Sequence, residues 1–451
     1  MARAKLSGAR LRVLAAFTIM VFLGLSQSLT AQFRTARDPG VRGGPEGAGG
    51  MLADLTADQQ KMFTDGLADF SEEEGVEDGV GPRFNFVGCA GCHAQPAIGG
   101  TSPAANPLFR VTDPGDLGFV NNTIPSFITK SGPIREARFQ YKADGSRDGG
   151  VHALFVISGH PDATGCNIRQ EEFETQVRNR NIIFRIPSPV FGVGLIESIT
   201  DSTILANLGS NSAIKSAFGI SGRPNRNGND GRIARFGWKA QNASLLVFSA
   251  EAYNVEMGIT SEGFPIERDE TPTCQYAGVP NDVTPKVSQI SNIENFANFQ
   301  RFLAPPTPSF FGASPASIIR GRQQFVNIGC TLCHTPQLPT NPKATVAALA
   351  DKTAHLFSDL ALHQMGPGLA DDILQGAARG DEFRTAPLWG LGKRIFFLHD
   401  GRTNDLDTAI KAHQSAGNLR FGPSEANRVI DSYTRLSEFD QQDLMNFLRS
   451  L

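Results

Sequence analysis

The sequence predicts a mainly α chain built as two similar units, with an irregular, loop-rich insertion in the first. Three observations predict it. The pattern Cys-x-x-Cys-His occurs twice, as Cys89-Ala-Gly-Cys92-His93 and Cys330-Thr-Leu-Cys333-His334, each behind a segment with helical apolar spacing. Between them, Leu-Ala-Pro-Pro-Thr-Pro-Ser at 303–309 holds three prolines within four residues and cannot continue a helix. Residues 101–235 are dense in Gly, Pro, Asn and Asp, with apolar runs too short for long helices.

Composition sets the outer bounds. A chain of 451 residues allows two or three domains and a sizeable core. With 42 basic against 45 acidic side chains the formal net charge is −3, which argues against a polybasic nucleic-acid binder. A hydrophobic content of 40% excludes a mostly disordered chain. High Gly and Pro with diluted charge point to a loop-rich protein folded around something besides its own side chains.

The elements follow in order. Arg3, Lys5, Arg10 and Arg12 precede an apolar run at 13–25 and a small-residue end at 26–31, which reads as a secretory signal over 1–31 cleaved near Ala31. The run falls short of the roughly 20 residues a membrane span needs, so an uncleaved anchor is the weaker reading. Removing the four positive charges leaves 38 − 45 = −7. The expected location is periplasmic or secreted, where disulfides persist. Residues 32–52, Gly-rich at 38–50, read as a flexible linker. The first unit, 53–302, opens with a helix capped by Thr56 or Asp58 and running through Met62 and Leu67. Short apolar runs follow at 154–157 and 182–186, and a regular helical pattern returns at 243–253. After the 303–309 linker, the second unit spans 310–451, with helices at 317–326, 405–414 and 438–451 and an Asp407/Lys411 pair at i,i+4.

Cys-x-x-Cys-His is the attachment pattern of c-type haem. Both thiols add to the vinyl groups, and the adjacent His becomes the proximal iron ligand. A chance match is expected on the order of 10⁻³ times per chain, so two by chance are negligible. A zinc site or a thiol-exchange pair is the bland alternative, weakened by the His in both copies and by export. The sequence therefore predicts two covalent haems, held by Cys89, Cys92, Cys330 and Cys333 and ligated by His93 and His334. Each unit is then a cytochrome c-like haem domain, with Gln-Lys-Met-Phe at 60–63 and Arg-Gln-Gln-Phe at 322–325 read as equivalent helix segments. Cys166 and Cys274 remain; one disulfide is the simplest use of them, a redox-active thiol pair the sharper one.

A haem with both axial positions filled by protein passes electrons, whereas one with an open position binds peroxide or oxygen. Here a resemblance helps. The segment Phe383-Arg384-Thr385-Ala386-Pro387-Leu388-Trp389 followed by His399-Asp400-Gly401-Arg402 resembles the second domain of bacterial di-haem cytochrome c peroxidases. It is more similar still to the related di-haem oxidoreductase family, also called thiol oxidoreductases. The likeness covers most of 55–451, including Phe-Ser-Asp-Leu at 357–360 and Met-Gly-Pro-Gly-Leu at 365–369.

The resemblance implies that His413, fourteen residues beyond His399, is the sixth ligand of the C-terminal haem, where the peroxidases carry Met. Met365 is the runner-up, and local sequence alone would make His413 a solvated helix residue. Fourteen beyond Trp238 stands Ala252, which cannot ligate iron, and residues 94–150 hold no His to match the distal His of the peroxidases. The N-terminal haem is thus expected to be five-coordinate, with His152, His160 and Met257 the side chains able to close it. Glu256-Met257-Gly258 resembles the family's Glu-Met-Gly, whose Glu shuttles a proton between peroxide oxygens. A haem pocket should raise the pKa of that carboxyl; locally, Glu256 would read as an exposed loop residue. Trp238 matches a Trp lying between the haems, a relay or a core aromatic. His399 is expected to support the second haem by hydrogen bonding. Two departures stand against close likeness: Phe248 replaces a Gln, and the Trp238-to-Glu256 interval is two residues shorter.

Together these readings imply an exported di-haem oxidoreductase of peroxidase type. Electrons enter from a donor such as a small cytochrome or cupredoxin at the C-terminal haem, pass to the N-terminal haem, and reduce hydrogen peroxide or a similar oxidant. The alternative is a di-haem electron-transfer protein with no substrate of its own. Radical oxidation of a partner protein is a third reading that no residue here selects. The peroxidases hold a calcium ion at the domain interface, to which no residue of this chain is assigned. No nucleic-acid partner and no membrane span after processing are expected.

Overall fold

Two helix crossings frame the molecule, and the caps of all four helices are written in the sequence. In a computed structural model describing residues 35–226, 228, 230–283 and 290–451, the Ala57–Ser71 helix starts at Thr56, which forms a capping box with Gln59. It packs across the Asn292–Phe302 helix, whose own capping box joins Ser291 and Glu294. The Pro315–Asn327 helix, capped by Ser314, packs in the same way across Glu438–Ser450, capped by Ser437. The signal expected over 1–31 lies outside the described residues, and no described helix is long and apolar enough to cross a membrane.

A glycine sits at each crossing. A Cβ on Gly66 would fall 2.2 Å from the Asn295 carbonyl oxygen, and one on Gly321 would fall 1.9 Å from that of Asp443. Four residues on, Phe70 packs on Phe299 (4.9 Å between ring centroids) and Phe325 on Phe447 (5.5 Å). The internal repeat is therefore Gly-x-x-x-Phe, at 66–70 and 321–325. The expected equivalence of 60–63 with 322–325 is off by two turns: Phe63 lies further along the helix, against Phe299 at 5.4 Å.

Helix makes up about 32% of the chain and strand 11%, so much of the backbone is loop. The strands form small antiparallel sheets, the largest ordered Val151–His152, Glu136–Phe139, Ile182–Arg185. Irregular structure is not confined to the first half, because residues 335–405 carry short strands at Leu338–Pro339, Thr353–Ala354, Leu362–Gln364 and Glu382–Arg384. The larger apolar core runs from Leu55 to Leu303 and also takes in Leu349, Leu356, Leu360 and Trp389. A smaller one gathers around Phe325, Tyr433 and Phe447.

Neither expected linker hangs free. In the 38–50 stretch, Asp38 pairs with Arg449 at 2.7 Å, and Arg42 donates through its backbone to Gly392 and through its guanidinium to the Ser450 carbonyl. Residues 47–52 pair with 302–307, and Leu303 is fully buried. One long-range ion pair and a set of long-range backbone hydrogen bonds, invisible to local composition, fix these Gly- and Pro-rich runs. Cys166 and Cys274 form a disulfide.

Candidate active site

In the C-terminal half, the turn Cys330–Leu332 lets the His334 backbone N–H donate to the Cys330 carbonyl (2.9 Å), which places both cysteines and His334 on one wall of a cavity. His334 Nδ1 donates to the Phe357 carbonyl (3.0 Å), so its proton is on Nδ1 and Nε2 keeps a lone pair. Burial pushes this imidazole down to about 4. His413 lines the same cavity. It follows the Leu406–Lys411 helix, capped by Asp405, and its Nδ1 donates to the Ala409 carbonyl (2.8 Å), which also leaves Nε2 free. Met365 lines the cavity as well. His399 is buried, stacked on Phe383 (4.3 Å) and edge-on to Trp238 (6.4 Å), so its contacts in the described residues are aromatic.

The N-terminal half repeats one wall and changes the other. His93 is held in the same way: its backbone N–H donates to the Cys89 carbonyl (3.0 Å), and Nδ1 donates to that of Gly100 (2.9 Å). Burial pushes it down to about 4. Cys89, Cys92 and His93 line a second cavity, in which His93 is the only histidine among the lining residues described. Ala252, the last residue of the Leu245–Ala252 helix, lines it too. His152 lies away from it, stacked on Phe139 (3.6 Å) and bonded to Asp148 (3.0 Å). His160 is likewise elsewhere, stacked on Phe119 (4.4 Å). Met257 and Phe248 are lining residues.

Glu256 reaches this cavity on a π-helical turn, Tyr253–Met257. Such turns insert one extra residue and recur at functional sites. The turn closes at Gly258 (φ +80°), where a Cβ would lie 2.6 Å from the Gly81 carbonyl oxygen, so no other residue fits. Asn85 Nδ2 donates to Glu256 Oε2 (2.7 Å). Burial, and then the neighbouring Glu136, push the Glu256 carboxyl up to about 8. Burial would raise Glu136 as well, but Arg138 and Arg185 hold it below the usual carboxylate range. The sequence reading missed Glu136, Arg138 and Asn85; the one local signal, for the first two, was the mixing of apolar and charged residues at 134–139, and Asn85 had none.

Trp238 lines both cavities. Its Nε1 donates to the Ile186 carbonyl (3.0 Å), and its own carbonyl accepts from the Arg384 backbone N–H (2.9 Å). Next to it, the fully buried Lys239 pairs with Asp371 (2.9 Å), which also pairs with Arg185 (2.6 Å). This ion cluster, unread in the sequence, ties the two halves together around the indole.

The donor set fits the porphyrins that the two motifs imply. Burial pushes the Cys89 and Cys330 thiols up to about 12, and among the described residues no three or more His, Cys, Asp or Glu side chains gather as a zinc site would need. Arg394, buried, and Arg384, half-buried, line the C-terminal cavity with no carboxylate among the groups acting on them. Unpaired buried cations are costly, and carboxylates such as haem propionates would offset that cost. In the N-terminal cavity, Gln241 Oε1, Gln300 Oε1 and Arg185 Nε are buried without a hydrogen-bond partner.

Comparison with known proteins points the same way. Residues 136–451 match the family model described as "Di-haem oxidoreductase, putative peroxidase"; the second Cys-x-x-Cys-His lies inside that span and the first precedes it. No curated protein matches. Among solved structures, a MauG-like protein associated with microbial copper homeostasis is 18% identical over 59% of this chain and 90% of its own, with a TM-score of 0.31. Hydrazine synthase of Kuenenia stuttgartiensis is 18% identical over 36% of this chain, with a TM-score of 0.23. The chain spans about half (55%) of that synthase chain. At TM-scores this low, neither likeness bears on fold or reaction. The family match, which covers most of the sequence, does: the chain belongs to the di-haem oxidoreductase family.

Proposed function

We propose that the protein is an exported di-haem c-type oxidoreductase of peroxidase type, which takes electrons from a small donor protein and reduces hydrogen peroxide or a similar oxidant. The observation that carries this reading is the asymmetry of two otherwise repeated cavities. One is lined by a second imidazole, His413, besides His334; the other is lined by the methyl group of Ala252 and the carboxyl of Glu256. Bound haem would supply a redox-active iron at each site. Cys89, Cys92, Cys330 and Cys333 hold the two groups as thioethers, and His93 and His334 offer Nε2 to the irons. Glu256 holds a proton within reach of a bound oxidant. Trp238, lining both cavities, is the side chain best placed to couple them.

Two measurements test the proposal. The ferric protein should show one high-spin and one low-spin haem by EPR, with cyanide binding at one of them. Purified protein with a reduced donor should consume hydrogen peroxide, and Glu256→Gln should abolish consumption while haem content holds. A purely low-spin spectrum, or no consumption, would overturn the assignment and leave an electron carrier.

A further inference from the structure

We propose that Glu136 and Glu256 form a carboxyl pair sharing a single proton at the N-terminal cavity, with Glu136 the carboxylate that keeps Glu256 in its acid form. The inference rests on the peroxidase reading only for the use made of the proton; the pair itself stands on geometry.

Glu136 opens the Glu136–Phe139 strand, and Arg138, two residues on, shares its face. Arg138 Nε donates to Glu136 Oε1, and its Nη1 donates to the Gly149 carbonyl (2.9 Å). Glu256 approaches from the π turn, both side chains line the one cavity, and each carboxyl acts directly on the other. Asn85 fixes which oxygens take part. Its Oδ1 accepts from the Leu154 backbone N–H (2.8 Å), so the atom facing Glu256 Oε2 is the donor Nδ2. Oε2 is therefore an acceptor, and the proton lies on the other oxygen or between the pair. Two carboxyls in contact cannot both ionise, since like charges at that distance hold one proton back.

The surrounding charges decide which one keeps it. Arg138 and Arg185 act on Glu136. Arg138 acts also on Glu256, as does Arg268, whose guanidinium donates to the Val151 carbonyl. The cavity wall adds Cys89 and Cys92, which do not titrate as thioethers. Glu136 has a cation bonded directly to it and Glu256 has none, so the carboxylate is Glu136 and the acid is Glu256.

Such a pair is base and acid at once. With hydrogen peroxide in the cavity, the carboxylate takes the proton of the near oxygen and the carboxylic acid gives its own to the far oxygen. The O–O bond breaks and the far oxygen leaves as water. Two electrons from the reduced donor and two protons from solvent turn the near oxygen into the second water, and the pair ends with one proton, as it began.

Infrared pH titration of the ferric holoprotein, with isotope-labelled glutamate, tests the pair without reference to turnover. Wild type should show a protonated carboxyl band that persists through neutral pH and disappears in the alkaline range, and Glu256→Gln should lack it. Glu136→Gln removes the neighbouring anion and should move the titration down by about one pH unit or more. Glu136→Asp should restore it. Arg138→Gln removes the cation and should move it the opposite way, a pair of shifts that a merely structural role would not produce. The proposal is overturned if Glu136→Gln and Arg138→Gln leave the titration in place, or if Glu256→Gln keeps the band. Peroxide consumption, measured alongside, separates the two readings: the titration without consumption refutes the peroxidase and supports the pair, and consumption without a titrating band refutes the pair.

Discussion

Replacing Gly321 by Ala tests the helix crossing that carries the second cysteine motif. A β-carbon there would stand 1.9 Å from the Asp443 carbonyl oxygen, 2.4 Å from its carbon and 2.8 Å from Phe447 Cβ. Ordinary contact needs more than about 3 Å, so the Glu438–Ser450 helix must retreat by about 1 Å, and a gap of that size forfeits a quarter to a half of the local dispersion contacts. Phe325, edge-on to Phe447 at 5.5 Å and tilted against the His334 ring at 6.2 Å, would lose packing on both sides. Overpacking of this kind costs about 1–3 kcal/mol, and little of the roughly 1 kcal/mol that Ala gains over Gly in an open helix survives the strain. Thermal or urea denaturation of the holoprotein should therefore show a net loss, with Gly321→Val worse than Gly321→Ala. Gly66→Ala, at 2.2 Å from Asn295, should behave the same way in the first half. The reasoning is refuted if either Ala variant gains stability, as an exposed helical glycine would.

Four other perturbations have definite expected outcomes. His413→Ala should open the C-terminal iron, so that cyanide binds both haems and a second high-spin EPR signal appears; an unchanged spectrum would transfer the ligand role to Met365. Asp371→Asn keeps its shape but strips the anion from Lys239 and Arg185, whose side chains are 0% and 4% exposed, and should cost about 3–5 kcal/mol by denaturation. Cys166→Ser with Cys274→Ser opens a bridge across 108 residues and should cost about 4–5 kcal/mol in the chain-entropy account, so a reductant should lower the wild-type midpoint and spare the double variant. Glu256 also gives stability a pH dependence. Its pKa rises from 4.5 to about 8 on folding, so between those values the folded state keeps a proton that the unfolded chain releases. Its contribution is greatest below pH 4.5 and is lost as pH rises through about 8; Glu256→Gln should flatten that stretch of the curve.

What the sequence made legible was what neighbours in the chain decide. Thr56 caps its helix where expected because a cap needs only the next few residues. The cysteine motifs are likewise local. The crossing glycines escaped because Gly66 lies 23 residues before Cys89, whereas Gly321 lies nine before Cys330. A loop in the first half breaks the register, and a lone helical glycine reads as a defect until its partner helix is in place. Glu136 escaped because its partner is 120 residues away and on a different kind of element. The 38–50 run misread as a free linker for the same reason: its composition is that of a tether, and only the distant Arg449 and Gly392 reveal the docking.

The difference between the two cavities comes down to how one helix ends. In the C-terminal half the Leu406–Lys411 helix stops, and the next turn presents His413 with its Nδ1 tied back to Ala409, four residues earlier. That tie orients the ring from within its own turn. In the N-terminal half the helix does not stop at Ala252 but widens into the π turn. Glu256, four residues on, lies within that π turn, and both residues line the N-terminal cavity. The position that holds a nitrogen in one half thus holds a methyl group in the other, in a cavity that also takes in a carboxyl. On the proposed function, an iron ligand would fill the coordination position that a free proton carrier needs left open. The Ala252 methyl and the π turn would then be two parts of one arrangement, the first leaving the space and the second bringing Glu256 to the same cavity.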